Sequence, residues 1–336
     1  MAYAKLFLLR KKETEYTNLS NEILIRKGDS RMKYVRIVLL ICCFTLCMDL
    51  SSVSYIRYHP SVHAIKHISS EAELKYGKAV PKLRVIFLKV GQGDATLLVL
   101  PNGRTILVDG GPPEAGELLV HKLMERGIKH LDLVIGTHPD MDHIGGLATV
   151  IEQMPVSIVL DSGKPYYSLT YRMYVRSIKK RKIPFILAKE GQFLPFDPTV
   201  SIQVLNNGKS KTQNNESSIV MKVRYNKADF LLTGDADTST EKEVMKQYNV
   251  HADVLKIGHH GSYTSTCKAF LQKVDPQFAV LSYEKGNPYG HPHQSVMKRL
   301  QRHGVQIYTT VKEDVEFKTD GNSFEIQKGP PIPLLK

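Results

Sequence analysis

Four side chains able to hold a metal ion fall within six consecutive residues of this chain. They are His138, Asp140, Asp142 and His143, in the stretch Thr137 to Gly146. Apolar Leu131 to Ile135 before it reads as a strand, and Ile144 to Met154 after it as a helix. A loop leaving a strand can turn several side chains inward to one point. A straight strand or helix would send adjacent Asp142 and His143 in different directions. Imidazole and carboxylate donors together suit Zn, Mn or Fe. Gly145 and Gly146 let backbone pack closely beneath the loop.

Further candidates recur at the ends of later predicted strands. Asp235 follows Phe230 to Leu232, where a carboxylate can bridge two metals. Alone it reads equally well as the N-cap of a helix starting near Thr238. His259 and His260 follow Val254 to Ile257, and His291 and His293 lie in a turn beginning at Asn287. His291 alone reads equally well as a solvated loop residue. Each follows a strand or precedes a helix, so all can converge on one edge of layered sheets. Together they call for a metal centre.

The remaining pattern is that of one α/β unit over residues 83–327. Val85 to Val90, Ala95 to Leu100 and Thr105 to Val108 read as strands, with Asn102-Gly103 as a hairpin turn. Glu114 to Arg126 reads as a helix with Leu118, Leu119, Leu123 and Met124 on one face and Gly127 as its stop. Ser201 to Leu205, Ser218 to Tyr225 and Asp229 to Leu232 open a second half, and Val315 to Ile326 reads as a closing hairpin of the unit. Residues 65–82 read as a linker and 328–336 as a tail. The basic run Arg176 to Lys182 lies on a predicted helix and reads as a solvated face ahead of a phosphate-contacting patch.

The N-terminus reads as an address. Apolar Ile37 to Met48 follows Arg31, Lys33 and Arg36 and stops at Asp49. Such a run fits the ~7–15 apolar residues of a signal peptide. Extended to Ile56, it approaches the roughly 20 of a membrane anchor. Glu13, Glu15, Glu22 and Asp29 are unsuited to a secretory start, so Met32 is the predicted biological start. Residues 1–64 are therefore expected to hold a signal peptide or signal anchor. Membrane association is expected through residues 37–56. The chain is expected to be exported, either extracellular or anchored to the outer face of a bacterial cytoplasmic membrane. Three of the four cysteines fall in that run, leaving Cys267, so a disulfide scaffold is excluded. The 46 Lys and Arg against 33 Asp and Glu give a net charge of +13, which points to an anionic partner.

The motifs, in order, resemble the metallo-β-lactamase fold superfamily. In particular they resemble the hydrolase domain of ComEC-type competence proteins and their stand-alone relatives. The matching stretches are Phe87 to Ala95, Leu107 to Gly111, His138 to His143, Asn215 to Val220, Leu232 to Asp235, Leu255 to Ser262 and Tyr289 to Pro292. The resemblance implies a four-layer αββα sandwich with two divalent metal ions, Zn or Mn, at one edge of the sheets. It assigns His138 and Asp140 to one metal position, Asp142 and His143 to the other, and Asp235 as the bridge. His259, His260 or His291 completes the shell. His259 is taken as the ligand, and His260 and His291 as the groups that act on substrate beside Asp142. Many relatives place a further His before the bridging Asp, where this chain has Asn215 and Ser218. Lys89 stands where the family usually carries Asp. Asp94 and Asp109 are read as orienting the ligands.

The implied function is metal-dependent hydrolysis, with one metal lowering the pKa of its bound water to about 7. A neighbouring His protonates the leaving oxygen or binds developing charge. Phosphodiester bonds of DNA or RNA are the leading substrate, since a basic chain draws in a polyanion. The alternatives are another exported substrate (a cell-wall phosphodiester, a small phosphoester or a lactam) and a non-catalytic binding protein on a degenerate metal fold. No aromatic-plus-basic stacking motif stands out, and Trp is absent.

Overall fold

The computed structural model describes residues 81–208 and 213–327. The expected export segment, the Met32 start, nearly all of the linker and the tail lie outside those residues.

Side chains of successive strand residues point to opposite faces of a sheet. In β1 (Leu83–Phe87), Val85 and Phe87 enter one apolar cluster and Ile86 another. A strand buried on both faces needs a second sheet on one side and helices on the other. The first sheet holds β1, β2 (Thr96–Val99), β3 (Thr105–Val108), β4 (Leu133–Gly136), β5 (Val159–Asp161) and β6 (Phe185–Leu187). The second holds β7 (Val200–Asn206), β8 (Val220–Tyr225), β9 (Ala228–Leu232), β10 (Val254–Lys256), β11 (Phe278–Leu281) and β12 (Gln306–Thr309). The closing hairpin, β13 (Val315–Thr319) and β14 (Phe324–Gln327), joins the first sheet. The orders are β14-β13-β1-β2-β3-β4-β5-β6 and β12-β11-β10-β9-β8-β7.

Phe87, Leu98, Ile106 and Ile135 meet Val204, Val223, Phe230 and Val280 between the sheets. Outside the first sheet lie α1 (Gly116–Glu125), α3 (Leu147–Gln153) and α4 (Leu169–Arg181), which bury Leu119, Leu123, Val150 and Tyr174 on Ile86, Leu97 and Val134. Outside the second lie α5 (Thr238–Gln247), α6 (Lys268–Val274) and α7 (Gln294–His303), packed through Val244, Phe270 and Leu300 on Leu231, Leu255 and Ile307. Each such fully buried side chain contributes ~1.5–3 kcal/mol. The layers are α, β, β, α. Among the described residues, no helix is long and apolar enough to cross a membrane.

β3 to β6 run parallel, and so do β9 to β12. The connections leaving β3, β4, β9, β10 and β11 therefore start at carboxyl ends, where open α/β sheets place ligands. These connections carry Asp109, His138 to His143, Asp235, His259 and His260, and His291.

Three local expectations need correction. The α1 face is Leu119, Val120 and Leu123, while Leu118 and Met124 are 46% and 56% exposed. Val120, not Met124, completes the stripe spaced at one turn with Leu119 and Leu123. The helix expected over Ile144 to Met154 breaks at Gly145 and Gly146, where a Cβ on Gly146 would stand 2.1 Å from the Gly110 carbonyl oxygen. Consequently Asp142 and His143 lie not in a loop but in a single helical turn, α2 (Met141–Ile144). The roughly 100° between neighbours on a helix does not part their donor atoms, which lie within 4.8 Å of each other. Finally, Asp237 and not Asp235 caps α5, accepting the Thr240 amide at 2.9 Å.

Candidate metal centre

Asp109 ends β3 in left-handed backbone, with φ at 59°. Its carboxylate accepts the Thr137 amide at 2.8 Å, the Thr137 hydroxyl at 2.7 Å and the His143 Nδ1–H at 2.8 Å. The carboxylate can only accept, so His143 carries its proton on Nδ1 and turns an Nε2 lone pair outward. His260 is set the same way, since its Nδ1–H donates to the Ser282 carbonyl at 2.8 Å. Asp235 is fixed by its own amide, which donates to the Ser218 hydroxyl at 3.0 Å.

These constraints bring four residues together. His143 Nε2 stands 3.1 Å from Asp235 Oδ1. His260 Nε2 stands 3.1 Å from Asp142 Oδ2 and 3.5 Å from Asp235 Oδ2. Donor atoms of Asp142, His143, Asp235 and His260 all lie within 4.8 Å of one another. Around Asp235 Oδ2 the remaining spacing is looser. His138 Nε2 is 3.5 Å from Asp140 Oδ2 and 3.9 Å from Asp235 Oδ2, and His259 Nε2 is 3.7 Å from Asp235 Oδ2. Asn214 donates to Asp140 Oδ1 at 2.6 Å, and Asn215 Nδ2 lies 3.2 Å from His259 Nδ1.

The polar accounting points to a cation. Nε2 of His138, His143 and His260 and Oδ1 of Asp235 are buried without a hydrogen-bond partner. Each unpaired buried group costs ~1–3 kcal/mol. Four of them around one point fit divalent ions held by imidazole and carboxylate. The charges agree. Burial alone would depress the His143 and His260 imidazoles, yet Asp235, with Asp109 at His143 and Asp142 at His260, raises both well above their ordinary value. Burial alone would raise Asp235, yet His143, His260 and His259 hold it well below the carboxylate range. The ionised carboxylates facing these imidazoles draw positive charge to the cluster, as protons or as a metal ion.

The histidine positions separate by geometry. His260, expected to act on substrate, lies in the compact cluster. His259, expected to ligate, lies at its rim with its side chain 23% exposed. Both residues adopt left-handed backbone, with φ at 49° and 52°. That double turn decides which ring enters, and no residue pattern reveals it. His291 stacks over His260 with ring centroids 6.1 Å apart and is pushed down to about 4 by burial and by His259 and His260.

Sequence reasoning missed Lys256, Asn214 and Ser282. Lys256 Nζ pairs with Asp94 Oδ2 at 2.8 Å, both side chains buried. Its signal was a lone cation in an apolar strand. Lys89 points away, its Nζ donating to the Lys312 carbonyl at 3.3 Å.

Residues 88–284 match the family described as "Metallo-beta-lactamase superfamily". The chain is 31% identical over 67% of its length to "ComE operon protein 3" of Bacillus subtilis, of which the match covers 31%. It is 33% identical over 74% of its length to "Recombination protein 2" of Haemophilus influenzae, covering 30% of that protein. "Competence protein ComA" of Neisseria gonorrhoeae is 31% identical over 69% of this chain, with 32% of that protein covered. The matched region thus spans about a third of each of these relatives.

Proposed function

From the premise that the chain belongs to the metallo-beta-lactamase superfamily, we propose that it is a hydrolase of phosphodiester bonds in nucleic acid, working with two divalent metal ions, Zn or Mn. The observation that carries this reading is the convergence of Asp142, His143, Asp235 and His260 with their unpartnered donor atoms. These four would hold one ion. His138, Asp140 and the shared Asp235, with His259, would hold the other. Such ions lower the pKa of a bound water to about 7 and polarise a phosphoryl oxygen.

The protein's own part is orientation and charge. Asp109, Ser218 and Ser282 fix the ligand rings and the bridging carboxylate. Asp142 is the cluster member with the most open side chain, 27% exposed, so its carboxylate can take a hydrogen bond from an incoming water. His291, stacked over His260, can donate to an oxygen on which negative charge develops. Support for a nucleic-acid substrate comes from the +13 net charge and from relatives named for competence and recombination. A fold by itself carries no substrate.

The test is cleavage of end-labelled oligonucleotides by the full-length chain with Mn or Zn. Cleavage abolished by chelator and by Asp142→Ala is expected. Intact oligonucleotides beside hydrolysis of a lactam or a phosphomonoester would move the reading to those substrates. Residues 37–56 support the further proposal that the chain is exported or anchored at the membrane. N-terminal sequencing of the native product tests that, and peptides from residues 1–31 would contradict the Met32 start.

A further inference from the structure

The outer face of α4 is used neither by the core nor by the metal centre. Its buried side carries Tyr174, Ser177 and Ile178. On the opposite side Arg172 and Arg176 stand one turn apart, about 6 Å along the axis, and Lys179 and Lys180 continue the stripe. All four are exposed. The helix holds no Asp or Glu. Lys180 meets Glu152 at 3.3 Å, whereas among the described residues no carboxylate pairs with Arg172, Arg176 or Lys179. Like charges spaced at one turn destabilise a helix, a cost that a bound polyanion offsets. Tyr171 and Val175 flank the stripe, and Tyr166 and Tyr167 stand at its N-terminal end, 41% and 100% exposed. With the four cations these residues line an open groove of about 680 Å³.

The segment at the head of the groove leaves the first sheet next to the one that bears the metal-ligand candidates. Gly136 of β4 pairs with Asp161 of β5, so the His138 segment and the segment bearing Tyr166 and Tyr167 leave the sheet side by side. α4 also packs on α2, which carries Asp142 and His143. The sequence showed a basic run without aromatic partners. Folding supplies the partners, because Tyr166 and Tyr167 precede the helix and only the chain turn at Ser168 sets them at the head of its cationic stripe.

We propose that this face is a docking track for single-stranded nucleic acid, with bases on Tyr166, Tyr167 and Tyr171 and phosphates on Arg172, Arg176 and Lys179. That the track delivers a strand for cleavage rests on the phosphodiesterase reading above. Single strands are favoured over duplex because their unstacked bases can lie on aromatic rings. They are favoured over a membrane surface because a membrane-lying helix centres its apolar residues. Here Arg172 and Arg176 hold the centre of the exposed face, and Leu169 and Met173 only its flank.

The test is fluorescence anisotropy of a short labelled oligothymidylate with the full-length chain in chelator, across a salt series. Tyr167→Ala is expected to weaken binding about tenfold. The double substitution Arg172→Gln and Arg176→Gln is expected to lower the slope of log affinity against log salt by about 1.4. Arg176→Lys keeps the slope. Unchanged affinity and slope in the Tyr and Arg variants would overturn the proposal. Loss of binding to phosphatidylglycerol vesicles in those variants, with oligonucleotide binding intact, would overturn it in favour of a membrane face. Hydrolysis of bis(p-nitrophenyl) phosphate by the wild type reads the metal centre separately. Its absence beside intact oligonucleotide binding would sink the phosphodiesterase reading and leave the track standing.

Discussion

Replacing Asp109 by Asn should disarm the metal centre without touching a ligand. The carboxylate is buried and accepts three hydrogen bonds, one on Oδ1 from the Thr137 amide and two on Oδ2 from the Thr137 hydroxyl and His143 Nδ1. An Asn side chain has one accepting oxygen and one donating NH2. With its oxygen at the Oδ2 position, the NH2 faces the Thr137 amide, donor against donor. Flipped, the NH2 faces two donors. His143 can adapt only by moving its proton to Nε2, which occupies the lone pair directed at Asp235 and at a bound ion. Loss of such an orienting partner costs about 10–100-fold in metal affinity, or ~1.4–2.7 kcal/mol. Competition with a chromogenic chelator measures zinc affinity directly. Asp314→Asn is the control, because that carboxylate bonds Lys122, Arg126 and the Lys89 amide instead of a ligand. Zinc held as tightly by Asp109→Asn as by the wild type would refute the reasoning.

Three further outcomes are expected. Lys256→Met leaves the buried Asp94 carboxylate without its lysine, with only His260 Nδ1 at 3.5 Å beside it, so stability should fall by up to ~3–5 kcal/mol. Urea unfolding followed by far-UV circular dichroism suits a chain without Trp. Adding Asp94→Asn should recover part of the loss, and simple additivity would count against the pair. Gly93→Ala places a Cβ 2.2 Å from the Asp142 carbonyl oxygen at a φ of 143°, so α2 must shift. Lower metal content and a loss of ~1–3 kcal/mol are expected, and a variant with full metal and wild-type stability would contradict that contact. Burial raises the Glu241 carboxyl from an ordinary 4.5 to about 7, against the pull of the Cys267 and Thr266 amides. The folded chain then keeps a proton that the unfolded chain has lost. This contribution to stability is complete below about pH 4.5 and is lost as pH rises to about 7, by up to roughly 3 kcal/mol. Glu241→Gln should flatten that slope in unfolding measured across pH, and an unaltered slope would sink the assignment.

How much was legible follows from what each feature depends on. Strand identities came from apolar runs and Asn-Gly turns, which are local. The residue types of the metal cluster came from motif stretches placed at strand ends. The choice between His259 and His260 was hidden, because it depends on two consecutive left-handed residues that the motif does not mark. The short helix α2 was hidden because the donor-rich stretch between strand and helix reads as a loop, whereas a helix has already begun at Met141 and breaks at Gly145 and Gly146. The α1 face was misread because Leu118 and Met124 are apolar yet exposed, and apolar identity alone cannot set the stripe. The Lys256–Asp94 pair joins residues far apart in sequence, so no spacing reveals it. The grouping of tyrosines and cations on α4 combines a helical stripe with the segment before it, and only the folded chain aligns the two.

The central claim is that this chain binds two divalent ions through the cluster around Asp235. Elemental mass spectrometry of the purified full-length chain tests it most directly, beside Asp142→Ala and Asp235→Ala. The account predicts about two zinc or manganese ions per wild-type chain, with loss in both variants and most severely in Asp235→Ala, where the shared ligand is gone. A wild-type chain that stays metal-free after growth in zinc and in manganese, or variants that bind as the wild type does, would contradict it.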